Sequence, residues 1–158
     1  MDFQWRKYLA EFVGTFSLTF VGTGAIIVNA VTNGSVGNLG VSAAFGLVIM
    51  VMIYTLGDIS GAHINPAVTF GFAVAKHFPV AQVPLYWISQ FAGAIFASSL
   101  LRILFGDAAR LGATAPRGAV WTSFVLEIVL TFLLMMVVIA VATGTREIGG
   151  MAAIAVGA

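Results

Sequence analysis

The chain has 158 residues, of which 60% are hydrophobic and 8% are charged, and its formal net charge is +1. A soluble domain of this size does not carry so apolar a composition, so the sequence predicts an integral membrane protein. The few charges form no basic cluster that would bind nucleic acid. With no cysteine and only two histidines, His63 and His77, we expect neither a disulfide framework nor a metal site, and no motif calls for a cofactor.

The first predicted span runs from Tyr8 to about Val31. Arg6 and Lys7 precede it as they would in a signal peptide, but the apolar run is too long and lacks a cleavage pattern, so we expect it to be retained. It contains Glu11, and a carboxylate is costly inside a membrane. We therefore expect Glu11 either to meet a partner within the bundle or to reach the interface.

The second predicted span, Leu39–Leu56, has no charge and is expected to end at Gly57-Asp58. The third covers Val80–Leu101, with Tyr86 and Trp87 as interfacial anchors. A polar loop, a fourth span at Ala119–Thr143 and a short loop follow, and residues 148–158 begin a fifth span.

Small residues recur at helical spacing within these spans. Gly14 and Gly22 lie on one face of the first span, and Ser89, Gly93 and Ala97 lie on one face of the third. Small residues let helix backbones approach closely in a membrane, so both faces are predicted to be helix contacts.

The stretch from Ser60 to Phe70 is too polar for an ordinary span and too apolar for a surface loop. Asn65 suits an N-cap, and Pro66 suits the first helical position. A helix over residues 66–76 would be roughly 16 Å long, about half of a ~30 Å hydrocarbon core. The pattern therefore predicts extended backbone over residues 60–64, then a half-helix that stops in mid-membrane; the alternative is a cytoplasmic loop with a short surface helix.

An internal repeat links the first and fourth spans. Residues 11–16 (Glu-Phe-Val-Gly-Thr-Phe) align with residues 127–132 (Glu-Ile-Val-Leu-Thr-Phe), and Glu, Thr and Phe coincide. The two copies lie three spans apart, an odd offset, so they would be inverted, as in many transporters and channels. We divide the chain into a first repeat (1–105), an extracellular loop (106–118) and an incomplete second repeat (119–158).

The ordered string Ser-Gly-Ala-His-Ile-Asn-Pro-Ala-Val-Thr at residues 60–69 resembles the first signature of the aquaporin (major intrinsic protein) family, and the resemblance covers almost the whole chain. The strings at residues 51–54, 83–86 and 90–93 resemble the nodulin-26-like and bacterial branch, whose members pass water, glycerol and metalloid hydroxides. Phe45, twenty residues before Asn65, is more similar to the water-selective branch.

The resemblance implies a role for each matching residue. It implies that Asn65, in the Asn65-Pro66-Ala67 motif, donates its amide to the solute, and that Phe45 is the aromatic of the narrow filter. It implies that Glu11 and Glu127 hold two re-entrant segments by accepting backbone hydrogen bonds. It also implies that carbonyl groups line the path at four residues: Gly61, Ala62, His63 and Ile64.

The expected fold class is an all-α membrane protein, an aquaporin-like right-handed helical bundle with inverted repeats and a re-entrant half-helix. We expect it to be incomplete, with about four full spans and the start of a fifth. Applying the repeat offset to Asn65 puts a second Asn-Pro-Ala motif at about position 181, past the last residue. Three of the four filter positions of the family are then absent, and the chain is interpreted as a fragment of a longer channel.

The predicted function is a passive pore for water, with small uncharged solutes such as glycerol or metalloid hydroxides, that excludes protons and ions. The alternatives are a non-conducting fragment or assembly partner of a full-length channel, and a membrane enzyme using Glu11 and Glu127. His63 is either a pH sensor or a fixed loop residue.

Loop charge places the N-terminus in the cytoplasm, with Arg6, Lys7, Lys76 and Arg146 inside and Arg102, Arg110 and Arg117 outside. The expected partners are the lipid bilayer and the solute, with no nucleic acid. The resemblance implies a homotetramer with one pore per subunit, and the expected location is the plasma (inner) membrane.

Overall fold

A computed structural model describes residues 4–144 and 151–158, and these residues form helices joined by turns, with no strand among them. The α-helices are α1 (Gln4–Val31), α2 (Gly37–Ser60), α3 (Pro66–Val74), α4 (Val83–Phe105), α5 (Val120–Ala142) and α6 (Ala152–Gly157). A 3₁₀ turn at Val80–Gln82 leads into α4, and a left-handed turn at Ala108–Gly112 follows it.

Among the described residues, four helical segments are long and apolar enough to cross a membrane: α1, α2, α4 with its preceding turn, and α5. They correspond to the four predicted spans. The predicted loop at 144–147, which includes Arg146, and the predicted start of the fifth span at 148 lie almost wholly outside the described residues. The rest of that span contains α6.

Helix α2 continues one turn further than predicted. The expectation that Gly57-Asp58 ends the helix was wrong, because Gly57 is accommodated inside it and the left-handed terminating position falls at Gly61 (φ 85°). The Gly61 N–H donates to the carbonyl oxygen of Gly57, which is a common way to end a helix. The end of α2 therefore leads directly into the polar stretch.

Helix α1 occupies the middle of the bundle and packs against both α2 and α4. Its crossing with α4 is close at Gly93, where a Cβ atom would overlap the carbonyl oxygen of Phe12 and lie 3.0 Å from the backbone nitrogen of Phe16. The predicted contact role of this glycine is confirmed. The neighbouring prediction for Tyr86 was wrong, because this side chain is buried rather than interfacial.

Helix α3 is nine residues long and two residues shorter than predicted. It packs between α4 and α5, with Gly71 facing the side chain of Met135 on α5. Four of its residues are buried, so α3 is an inserted element and not a surface helix: Val68, Thr69, Phe72 and Ala73.

The close α1–α4 crossing predicts that Gly93→Ala destabilises the protein by about 1–3 kcal/mol, because the added methyl group meets backbone atoms that cannot move aside. Thermal unfolding of the purified protein in detergent measures the change. Gly57→Ala is the matched control, since a Cβ there meets nothing within 4 Å. Equal melting temperatures for the two variants would show that the crossing is not tightly packed.

Candidate functional site

A turn of five residues, Gly61 to Asn65, joins α2 to α3. The sequence-based expectation of extended backbone was wrong here, because φ is 85° at Gly61, 46° at Ala62 and 41° at Ile64. Left-handed backbone is unfavourable for a β-branched residue and persists only where surrounding contacts impose it. The turn must therefore be held from outside.

The Glu11 carboxylate provides much of that external support. Its Oε1 accepts hydrogen bonds from Ser60 Oγ (2.6 Å) and the His63 N–H (3.0 Å). Its Oε2 accepts from the Ile64 N–H (2.7 Å) and Gln90 Nε2 (2.8 Å). An ionised carboxylate offers about four lone-pair sites, so these four donors saturate it. Glu11 is fully buried, and it ties α1 to the end of α2, the turn and α4.

A second group of polar residues continues this network toward α3. Gln90 Nε2 also donates to Thr69 Oγ1 (2.9 Å), and the Thr69 hydroxyl donates to the carbonyl oxygen of Asn65 (3.1 Å). The Thr69 hydroxyl also lies 3.2 Å from His63 Nδ1, and the direction of that hydrogen bond depends on the ring tautomer. His63 is buried, and its ring stacks on Phe72 (4.8 Å between centroids), so the structure favours the fixed-residue interpretation.

Two glycines on α1 receive large side chains of the candidate site. A Cβ at Gly14 would overlap the Ile64 side chain, and a Cβ at Gly22 would overlap the Phe45 ring. The sequence identified both glycines as contact positions but did not identify what they contact. Glycine at these positions therefore admits Ile64 and Phe45 to the bundle interior.

An apolar cavity of about 100 Å³ lies beside the turn, and the five residues of the turn form one wall. The other walls come from α1, α2, α3, α5 and α6, through Leu18, Ile49, Ile53, Val68, Phe72, Leu134, Val138, Val141, Ala142, Ala152 and Val156. Phe45 lies outside this lining, one turn from Ile49 on α2. The polar groups of the cavity are therefore concentrated on the turn.

Asn65 begins α3 in extended conformation (φ −152°, ψ 127°), and its Oδ1 accepts a hydrogen bond from the Ala67 N–H (2.8 Å). Since the oxygen caps the helix, the NH₂ group is the part of this side chain left to donate into the cavity. Within residues 4–144 and 151–158, no protein hydrogen bond ends on the backbone carbonyls of residues 61–64. The wall therefore presents four acceptors followed by one donor.

Glu127 lies on an exposed part of α5, beside a recess that Arg117 and Ser123 also line. It does not take part in the Glu11 network, which the described structure assembles from the first 90 residues. Sequence reasoning missed the roles of Gln90 and Thr69. The signals that could have identified them were the amide of Gln90 inside an otherwise apolar span and the hydroxyl of Thr69 in the short helix before that span.

This combination of four apolar spans and a short helix inserted between them defines a multi-pass integral membrane protein with a re-entrant segment. The family model described as Major intrinsic protein matches residues 1–158, and the chain belongs to this family. The family resemblance seen in the sequence and the predicted helical fold class are both confirmed.

Relatives of known sequence include Aquaporin NIP2-1 of Zea mays, 49% identical over 152 residues, which are 96% of this chain and 52% of the relative. Aquaporin NIP1-4 of Oryza sativa subsp. japonica is 50% identical over 153 residues, 96% of this chain and 56% of that protein. The chain thus spans about half the length of these relatives. The aquaglyceroporin from Plasmodium falciparum matches in structure with a TM-score of 0.80 at 28% identity, covering 97% of this chain and 68% of that one.

The Glu11 network predicts that Glu11→Gln destabilises the protein, because an amide NH₂ would face donors that now meet a carboxylate oxygen. Leaving one buried backbone N–H without an acceptor costs about 1–3 kcal/mol, and we expect a loss of at least that size in thermal unfolding. Asp58→Asn is the matched control, since Asp58 is an exposed carboxylate at the end of α2. A Glu11 variant as stable as the Asp58 variant would contradict the role assigned to the network.

Proposed function

We propose that this chain forms the wall of a passive channel for water and small uncharged solutes. The observation that carries the proposal is the polar strip at the cavity: four carbonyl groups at residues 61–64 that have no hydrogen-bond partner among the described residues, followed by the Asn65 NH₂ group. Membership of the major intrinsic protein family supports the same function.

The mechanism follows from the arrangement of donors and acceptors. A solute hydroxyl or a water molecule donates to successive carbonyl oxygens and then accepts from Asn65, while the apolar walls offer no competing partner. The N-terminus of α3 points its positive dipole end at the same place, which disfavours cations. No group needs to change its protonation state, so the site works as a selective passage without catalysis.

We infer water as the main solute, with small polyols as further candidates. The structural match to an aquaglyceroporin and the relatives named aquaporin support this range. Phe45 continues the face of α2 that brings Ile49 and Ile53 to the cavity, which supports a place for its ring at a narrow point further along.

The remaining features are proposed on the family relationship. The division into repeats at 1–105 and 119–158, with the loop 106–118 outside, assigns Glu127 to a second re-entrant segment, as Glu11 is assigned to the first. The protein is proposed to be a homotetramer in the plasma (inner) membrane with its N-terminus in the cytoplasm.

A second candidate function is a non-conducting membrane protein that assembles with full-length channels. One observation favours it: only 6% of the spanning window of α5 is buried among the described residues. Reconstituted vesicles that contain inserted protein but are no more permeable than lipid alone would support this alternative and contradict the channel.

Asn65 has two proposed roles: its side-chain oxygen caps α3, and its NH₂ group donates to the solute. Substitutions at this position can separate them. Asn65→Ser keeps an oxygen that can cap α3 but removes the NH₂ donor, so we expect near-normal stability with water permeability reduced about fivefold, the size of one lost hydrogen bond. Stopped-flow osmotic swelling of vesicles, normalised to inserted protein, measures the permeability.

Asn65→Ala is the comparison variant, because it removes both the cap and the donor. We expect it to lose about 1 kcal/mol of stability in addition to permeability. If Asn65→Ser conducts as well as the unmodified protein, the amide does not act on the solute.

A further inference from the structure

Two consecutive aromatic residues of α4 hydrogen-bond to the two ends of the re-entrant turn. The Tyr86 hydroxyl donates to the carbonyl oxygen of Ser60, the last residue of α2, at 2.8 Å. The Trp87 indole Nε1–H donates to the carbonyl oxygen of Pro66, the first residue of α3, at 3.0 Å. The turn is thus fixed from the same helix at both of its ends.

The Trp87 bond differs from the Glu11 network in its surroundings. Trp87 is 36% exposed, and the nearby Phe70 ring, 6.5 Å from it between centroids, is 55% exposed, so both face the outside of the bundle. Where that outside is lipid, no water competes for the indole N–H, and the Pro66 carbonyl is the acceptor within reach. A carbonyl oxygen has two lone pairs, so it accepts the indole in addition to a helical amide.

The position of this bond relative to Asn65 gives it a functional consequence. Asn65 precedes Pro66 and lines the cavity, and because its Oδ1 caps α3, its NH₂ group is the part of the side chain left to donate. Glu11 holds the turn through His63 and Ile64, on the other side of Asn65. The Trp87 bond fixes the first residue after Asn65, which the Glu11 carboxylate does not contact.

We propose that Trp87 is a positioning residue for the proposed channel: its indole N–H holds the Pro66 end of the turn so that Asn65 presents its amide to the passing solute. This role rests on the proposed function. It gives a specific use to a residue that the sequence suggested only as an interfacial anchor.

The test removes the indole N–H of Trp87 while keeping the shape of its bicyclic ring. In the full chain, β-(3-benzothienyl)alanine at position 87 keeps the bicyclic ring but substitutes sulfur for the N–H, and Trp87→Phe removes the N–H together with part of the ring. Trp121→Phe is the matched control, because Trp121 is 70% exposed and its ring lies 5.5 Å from that of Phe124 in its own helix.

The expected result is that the analogue at position 87 lowers water permeability about fivefold at an unchanged melting temperature, the size of one lost hydrogen bond, while the Trp121 variant conducts normally. In an Asn65→Ser background, the same analogue should have no further effect, since residues that act through one group are not additive. Full permeability in the analogue, or an undiminished effect in the Asn65→Ser background, would overturn the role.

A measurement independent of transport accompanies the test. Solid-state NMR of the ¹⁵N-indole groups in liposomes should show slower hydrogen exchange for Trp87 than for Trp121, and exchange as fast as that of Trp121 would overturn the hydrogen bond. Unmodified protein that does not conduct would overturn the proposed function and this role together. Conducting protein that is insensitive to the analogue would overturn the role of Trp87 alone.

Discussion

The structure depends on one buried carboxylate. Glu11 joins three helices and the turn through four hydrogen bonds, and it alone accepts the backbone N–H groups of His63 and Ile64. Without it, those groups would be unsatisfied in an apolar interior, and left-handed backbone at Ala62 and Ile64 would have little to hold it. The Glu11 carboxylate is costly in a membrane, but it satisfies hydrogen-bond donors of the turn and of the neighbouring helices that no apolar side chain could satisfy.

The same constraint explains the arrangement of the cavity. Glu11 accepts the N–H groups of His63 and Ile64, whereas no hydrogen bond among the described residues ends on the carbonyl oxygens of residues 61–64, which line the cavity. Gly14 makes room for the Ile64 side chain, and Thr69 and Gln90 connect the network to α3 and α4. One hydrogen-bonding scheme therefore satisfies the N–H groups of His63 and Ile64 and leaves the carbonyl groups of the turn without a partner among the described residues, and the proposed passage for water uses those carbonyl groups.

The spans and the start of α3 could be predicted from the sequence, whereas the conformation of the turn could not, for physical reasons. The spans followed from hydropathy, and Asn65-Pro66 specified the start of α3 through cap chemistry that is local. The conformation of residues 61–64 could not be predicted, because it is imposed by Glu11, some fifty residues earlier, against local preference. Tyr86 was misread for a related reason: composition suggested an interface, whereas its side chain is buried and its hydrogen-bond acceptor lies on Ser60.

The most direct test of the central claim is the depth of α3 in the bilayer. The sequence has no cysteine, so single cysteines at positions 67 and 75 can carry spin labels without other changes. Power-saturation measurements in liposomes should place the label at 67 near the bilayer centre, about 12 Å deeper than the label at 75. Two labels at equal depth near the headgroups would contradict a turn that Glu11 holds in mid-membrane.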